Sequence, residues 1–220
     1  MEPIEPTFLE GSDPTRKIDN LPFDHAWIRD GFNGRDYTKL YVEDIRSDLL
    51  PEKAWLRSTS LIITSKEDYD TEAKKIAEHF KERLLKDLKE YKDTKVVLVE
   101  APDKETITME IALTELEFSH PGARTAALVS PVPGTGAALG SMSDPHVAFA
   151  ARFNDPEGKL AVTLADRAYP PSRIVDFNKM TVTSSPNEVV QRWSEVLAES
   201  INNGKLVKTD RSSRFSLLPW

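Results

Sequence analysis

From Thr71 to Tyr91 apolar residues recur at helical spacing. Ala73, Ile76, Ala77, Phe80, Leu84, Leu88 and Tyr91 form one stripe, and lysine and glutamate fill the opposite face. That pattern predicts an amphipathic helix with Asp70 or Thr71 at its cap. Before it, "KLYVEDI", Lys39 to Ile45, reads as a first strand. "AWLRSTSLIIT", Ala54 to Thr64, is rich in β-branched residues and reads as extended, with a helical turn after Pro51 as the other option. After the helix, the short apolar run "KVVLVE", Lys95 to Glu100, predicts a buried strand beside the first. Strand, helix and strand in that order allow a right-handed crossover with parallel pairing.

The period then changes to two. Ile107, Met109, Ile111 and Leu113 alternate with Thr108, Glu110 and Ala112, after which the next apolar residues are Leu116 and Phe118. A phase slip of one residue inside a strand predicts a β-bulge. "HVAFAARFND" and "KLAVTLADRA" alternate again around Asp155-Pro156-Glu157-Gly158, a turn in which proline sets φ and glycine closes. These two runs form a hairpin. Ser185-Pro186-Asn187-Glu188 carries the signature of a helix start. Val189, Val190, Trp193, Val196, Leu197 and Ile201 then give the stripe, and Asn203-Gly204 stops it. The expected fold is α/β (α+β): a single-domain sandwich, with a mixed, mostly antiparallel sheet and two helices packed on one face. Residues 1–36 read as an irregular arm pinned by Phe23, Trp27 and Phe32, residues 37–204 as the domain, and residues 205–220 as a tail.

Composition narrows the chemistry. With 29 lysines and arginines against 36 acids, the 220-residue chain carries a net charge of −7, the wrong sign for a nucleic-acid partner. It has no cysteine, which removes disulfides, thiolate metal sites and cysteine nucleophiles together. No apolar run approaches the roughly 20 residues of a membrane span, and no signal-peptide pattern is visible.

"SPVPGTGAALGSMSDP", Ser130 to Pro145, is the candidate motif. Gly134, Gly136 and Gly140 resemble a phosphate cradle until the flanks are considered. Such a cradle needs a helix leading out, so that its N-terminus meets the phosphate. Here Pro145 turns Asp144 away from helical geometry and a strand follows. The glycines therefore belong to a long inter-strand connection, whose alanines and Leu139 predict that it lies over the sheet or meets a partner. His120 and His146 flank this connection and approach each other if the strands pair, with Asp144 close by in sequence. An acid–base or ligand role competes there with ordinary loop hydrogen bonding. His25 and His79 lie at no metal-ligand spacing. Asp24-His25 is an acid–imidazole neighbour by local sequence only. Asp166-Arg167 reads as an edge salt bridge. No Gly-x-Ser-x-Gly elbow occurs. The pattern calls for no catalytic residue, no cofactor and no metal. The apolar "FSLLPW", with Phe215, Leu218 and Trp220, reads as a docking peptide, a strand that adds to a neighbouring sheet, a disordered tail or a segment packed on its own domain.

Three pieces together carry a family resemblance. They are "DGFNGRDYTKLYVEDI"; the alternating "MEIALTELEF" leading to "PVPGTGAALG"; and "VAFAARFNDPEGKLAVTLADR", followed by a tryptophan-bearing last helix. They resemble the bacterial lipoprotein family called domain of unknown function 3313 over roughly Asp30 to Gly204. The resemblance implies an exported, lipid-anchored protein of the cell envelope, periplasmic or held at the outer membrane, and supplies no activity. This chain shows neither leader nor acceptor cysteine. If the leader has been removed, the proline-spaced arm is a tether and the membrane is reached only through a lipid anchor absent from this chain; if Met1 is native, the envelope location no longer follows and the cytoplasm is the alternative. The expected function is contact with an unknown protein partner, of the envelope or a second copy. The alternative is a small-ligand binder or enzyme using a cleft under the loop 130–145.

Overall fold

Three long antiparallel strands form the centre of the molecule. A computed structural model describes residues 8, 22–58, 63–92, 94–118, 146–169 and 184–203. Its strands are β1 (His25–Ile28), β2 (Lys39–Val42), β3 (Val97–Leu98), β4 (Thr106–Glu117), β5 (His146–Asn154) and β6 (Leu160–Ala168). The helices are a single turn α1 (Ala54–Arg57), α2 (Lys66–Glu90) and α3 (Ser184–Asn203). The sheet order is β1-β6-β5-β4-β2-β3. Contacts among β1, β6, β5 and β4 are antiparallel, and β2 pairs in parallel with both β4 and β3. This is the expected mixed sheet. The pairing of β4 with β5 shifts register between Leu113 and Glu115, so the bulge read from the phase slip is present.

Register divides the sheet into two faces. Met109, Ile111, Leu113, Leu116, Phe149, Phe153 and Leu164 point to the side covered by α2 and α3 and form the main core with the helix stripes. Phe149 joins the layers. Its ring lies 5.8 Å from Phe80 on α2, 4.6 Å from Trp193 on α3 and 6.1 Å from Phe23 in the segment before β1. The Trp193 indole N–H donates to Asp166 Oδ2 at 2.7 Å, which pins α3 to β6. The other face carries Ala112, Ala150 and Ala165, on which Phe8 and Leu49 pack.

Several expectations need adjustment. α2 begins at Lys66, before Thr71, because Ser65 caps it in a reciprocal box with Asp68 and Tyr69 joins the buried stripe. The run 95–100 does lie beside β2 in parallel, yet it forms a two-residue edge strand and Val97 is 59% exposed, so it is not buried. Ala54–Arg57 takes the helical option. Residues before 37 showed no period, but they contain β1, which pairs with β6; four residues are too few to show alternation. Gly158 closes the β5–β6 turn at φ +77°, where a Cβ is strained. Asp155 orders that turn by accepting from the Lys159 and Glu157 N–H groups and from Arg29 Nη2.

Phe149→Ala is expected to cost about 3–5 kcal/mol in urea unfolding, because it empties the junction of three elements. Ser65→Ala is expected to cost about 1 kcal/mol. Equal effects from the two would contradict this arrangement.

Candidate functional site

The strands define two ends of the sheet. At one end β4 finishes and β5 starts; at the other β4 starts, β5 finishes and β6 begins. Ionisable groups gather at the first end and apolar surface opens at the second.

At the first end, on the face away from the helices, His146 stands beside two carboxylates. Its Nε2 is 3.0 Å from Glu115 Oε2 and its Nδ1 is 3.7 Å from Glu117 Oε2. The His146 and Tyr169 rings lie 5.8 Å apart. Arg167 pairs with the other oxygen of Glu115. Burial pushes the Glu115 carboxyl up, but the hydrogen bonds from His146 and Arg167 outweigh it and hold the group below its ordinary value. Farther down the same face, Glu110 receives Asn154 Nδ2 at 2.6 Å and pairs with Arg152 at 3.1 Å. The Arg152 guanidinium lies 5.5 Å from the Phe8 ring centroid. Glu43 is shifted upward, by burial and then by Glu110. These charges are arranged as cross-strand pairs, the ordinary way in which a sheet face accommodates them. Among the described residues, no three His, Asp or Glu side chains are grouped to hold a metal ion.

The sequence candidates fall out unevenly. His146 is in this cluster. Gly134, Gly136, Gly140, His120 and Asp144, with the loop 130–145, lie outside the described residues, as do Phe215, Leu218 and Trp220. Asp24 and His25 do not pair: Asp24 Oδ2 accepts from the Arg167 N–H, while His25 meets Thr163 Oγ1 at 3.3 Å and burial lowers its pKa. Asp166 and Arg167 form no salt bridge either. Successive strand residues face opposite sides, so Asp166 holds Trp193 on the helix side and Arg167 holds Glu115 on the other. Nor is β6 an edge, since β1 covers it.

At the second end is a slot of about 170 Å³ that no motif announced. Its floor is Ile107, Phe153, Val162 and Leu164 from three adjacent strands, and α3 contributes Leu197, Ser200 and Ile201. The connection from β1 to β2 builds one wall, because it must cross the ends of β6, β5 and β4 to reach its place in the sheet. Gly31 turns the chain at φ +77°, and Asn33 then caps a 3-10 turn at Gly34–Asp36 by accepting from the Arg35 N–H. That turn places Phe32 and Tyr37 in a stack, their centroids 5.7 Å apart, at the slot's edge. Lys39 stands at the rim and is committed to Asp103 at 2.7 Å and Glu105 at 3.0 Å. Those hydrogen bonds raise the Lys39 pKa, and the one from Lys39 leads the group of contacts that lowers Asp103 to about 2. The signal for this slot was present in sequence as "GFNGRDY" and the end of the last helical stripe, but only the sheet order brings the two together.

A family model described as "Protein of unknown function (DUF3313)" matches residues 22–197. The chain belongs to the DUF3313 family. The match spans β1 through Leu197 and therefore most of the slot. No curated protein matches the chain. Among solved structures, it is similar to a PelC dodecamer from Paraburkholderia phytofirmans in two crystal forms. One shows 11% identity over 78% of this chain and 98% of that chain, with a TM-score of 0.34. The other shows 9% identity over 78% and 96%, with a TM-score of 0.32. It is also similar to a minor lipoprotein from Acinetobacter baumannii, at 14% identity over 79% and 97%, with a TM-score of 0.28. Likenesses this distant fix neither an activity nor an assembly for this DUF3313 chain. Among the described residues, no helix is long and apolar enough to cross a membrane.

Because the folded-state pKa of Glu115 is depressed, its contribution to stability is present above its ordinary value of 4.5 and is lost as pH falls through the folded value. Glu115→Gln is expected to flatten the fall in unfolding free energy below pH 4.5. Urea unfolding from pH 7 to pH 3 checks this; a constant offset with unchanged slope would contradict it.

Proposed function

We propose that this DUF3313 chain is a cell-envelope protein that works by protein–protein contact, with the apolar slot as the point where a partner's side chain is held. The envelope location follows from what the family resemblance implies. The contact function rests on one observation: the slot's size and lining. A cavity of roughly 150 Å³ lined by aliphatic and aromatic groups accommodates a benzene ring, and pockets for drug-sized ligands start at about 300 Å³. At about 170 Å³ the slot suits one ring or one branched side chain. Buried apolar anchors of that kind carry much of the energy of protein interfaces. The charged groups of His146, Glu115 and Arg167 lie at the other end of the sheet and do not converge on it.

The test uses the native gene with its own upstream sequence, expressed in its own cells. A photo-crosslinking amino acid at Phe32 is expected to give a discrete adduct with an envelope protein, and Ser200→Trp, which fills the slot, is expected to abolish it. The same crosslinker at Lys74, on the exposed side of α2, is the control. An adduct pattern identical at the two positions, or one insensitive to Ser200→Trp, would overturn the reading.

A further inference from the structure

We propose that the outer edge of β3 is the contact through which two copies of this chain join, antiparallel about a two-fold axis at Leu98. The inference stands independently of the slot. β3 ends the sheet order and pairs with β2 on one side. The Val97 N–H donates to Thr38 O at 2.7 Å, and the Val99 N–H donates to Leu40 O at 3.1 Å. Backbone groups of successive strand residues face opposite sides of the strand, so Val96 and Leu98 turn theirs away from β2. Their side chains pack on the core. Alternation then places Val97 on the other face of the sheet, where it is 59% exposed. Among the described residues, the exposed large apolar side chains are Leu56, Val97 and Tyr169, and of these Val97 lies in a strand. Sheet edges are commonly guarded against pairing by lysine or proline. From Val96 to Val99 this edge has four apolar residues, with neither charge nor proline among them.

Two features select a second copy as the occupant. The first is geometric. Two-fold antiparallel pairing sets outward-facing residues against each other, and Leu98 is the outward residue at the centre of the stretch held to β2. Leu98 then meets its own equivalent, and Val97 meets Val99 of the other copy. The second is charge. The stretch begins at Lys95 and ends at Glu100, both exposed. The Lys95 N–H donates to Asn202 Oδ1 at 3.2 Å, so α3 fixes the basic end. Antiparallel pairing brings the basic end of each copy to the acidic end of the other, and does so twice. Parallel pairing of two copies would set like charges together. A contact this short falls below the standard interface of about 1,600 Å², so the dimer depends on concentration.

Sedimentation of the full-length chain tests the contact. The average mass is expected to rise toward twice the chain mass with concentration, and Val97→Lys, at an exposed position, is expected to weaken association at least about tenfold, since a lysine guards an edge. A chain that stays monomeric throughout, or a dimer indifferent to Val97→Lys, would overturn the proposal. A second measurement reads the register, in a chain that has no cysteine of its own. Directly opposed residues lie about 4.5 Å apart between Cα atoms, whereas diagonal ones lie about 7–8 Å apart, too far for a disulfide. A mixture of a Val97→Cys chain and a Val99→Cys chain is therefore expected to form the mixed disulfide at least about tenfold faster than either chain joins its own copies. Equal rates would overturn the axis at Leu98. If a photo-crosslinker at Val97 joins a different protein in cells while the purified chain stays monomeric, the edge belongs to that protein and the second copy is wrong.

Discussion

The ring of Phe149 sets how the two long helices meet the sheet. It projects from a central strand and touches Phe80 of α2, Trp193 of α3 and Phe23 of the segment before β1. A large aromatic side chain buried at such a junction contributes through area and through edge-on ring geometry. The helices run side by side in the same direction: Phe80 meets Trp193, Arg83 reaches Glu195, and Tyr91 meets Asn203. With both helices anchored at that level, α3 carries Leu197, Ser200 and Ile201 over the far end of the sheet, and the apolar slot opens between them and the strands beneath.

The same sheet separates two kinds of surface. One face is committed to the helices. The other combines small side chains, Ala112, Ala150 and Ala165, with cross-strand ion pairs at Glu110–Arg152 and Glu115–Arg167. Each charge in these pairs has a cross-strand partner of opposite sign, and removing one partner would leave the other partly buried and uncompensated. His146 shares that arrangement, so its place beside Glu115 and Glu117 is explained by the face it occupies. The slot at the opposite end has the reverse character, apolar within and charged only at the rim, where Lys39 is neutralised by Asp103 and Glu105.

Elements with a repeated pattern were legible in sequence. The alternation from Ile107 to Leu113 and the slip before Leu116 give a strand and its bulge, and the stripes through Phe80 and Trp193 give both long helices. What periodicity missed was short or non-local. β1 has four residues, and its role as cover for β6 depends on pairing across more than a hundred residues. The run at Val97 looks like a buried strand because its composition is apolar, but it lies at the edge of the sheet. Asp166-Arg167 looks like a pair because the residues are adjacent, yet strand alternation sends them to opposite faces. The slot was illegible for the same reason: Phe32, Ile107, Val162 and Ile201 are distant in sequence and meet only because the β1–β2 connection crosses three strand ends. His146 was legible, but its carboxylate partners follow from register.

Membership of DUF3313 places the chain in a family of unknown function, so the argument for contact through an apolar anchor rests on the slot's own size and lining. Its most direct test is whether the slot takes up a single ring. Methyl-labelled full-length chain, titrated with indole and followed by NMR, reports this without reference to any partner. Saturable shifts confined to the methyl groups of Ile28, Ile107, Val162, Leu197 and Ile201 are expected. Absence of saturable shifts there, or shifts centred on Leu116 and Val147 at the other end of the sheet, would contradict the account.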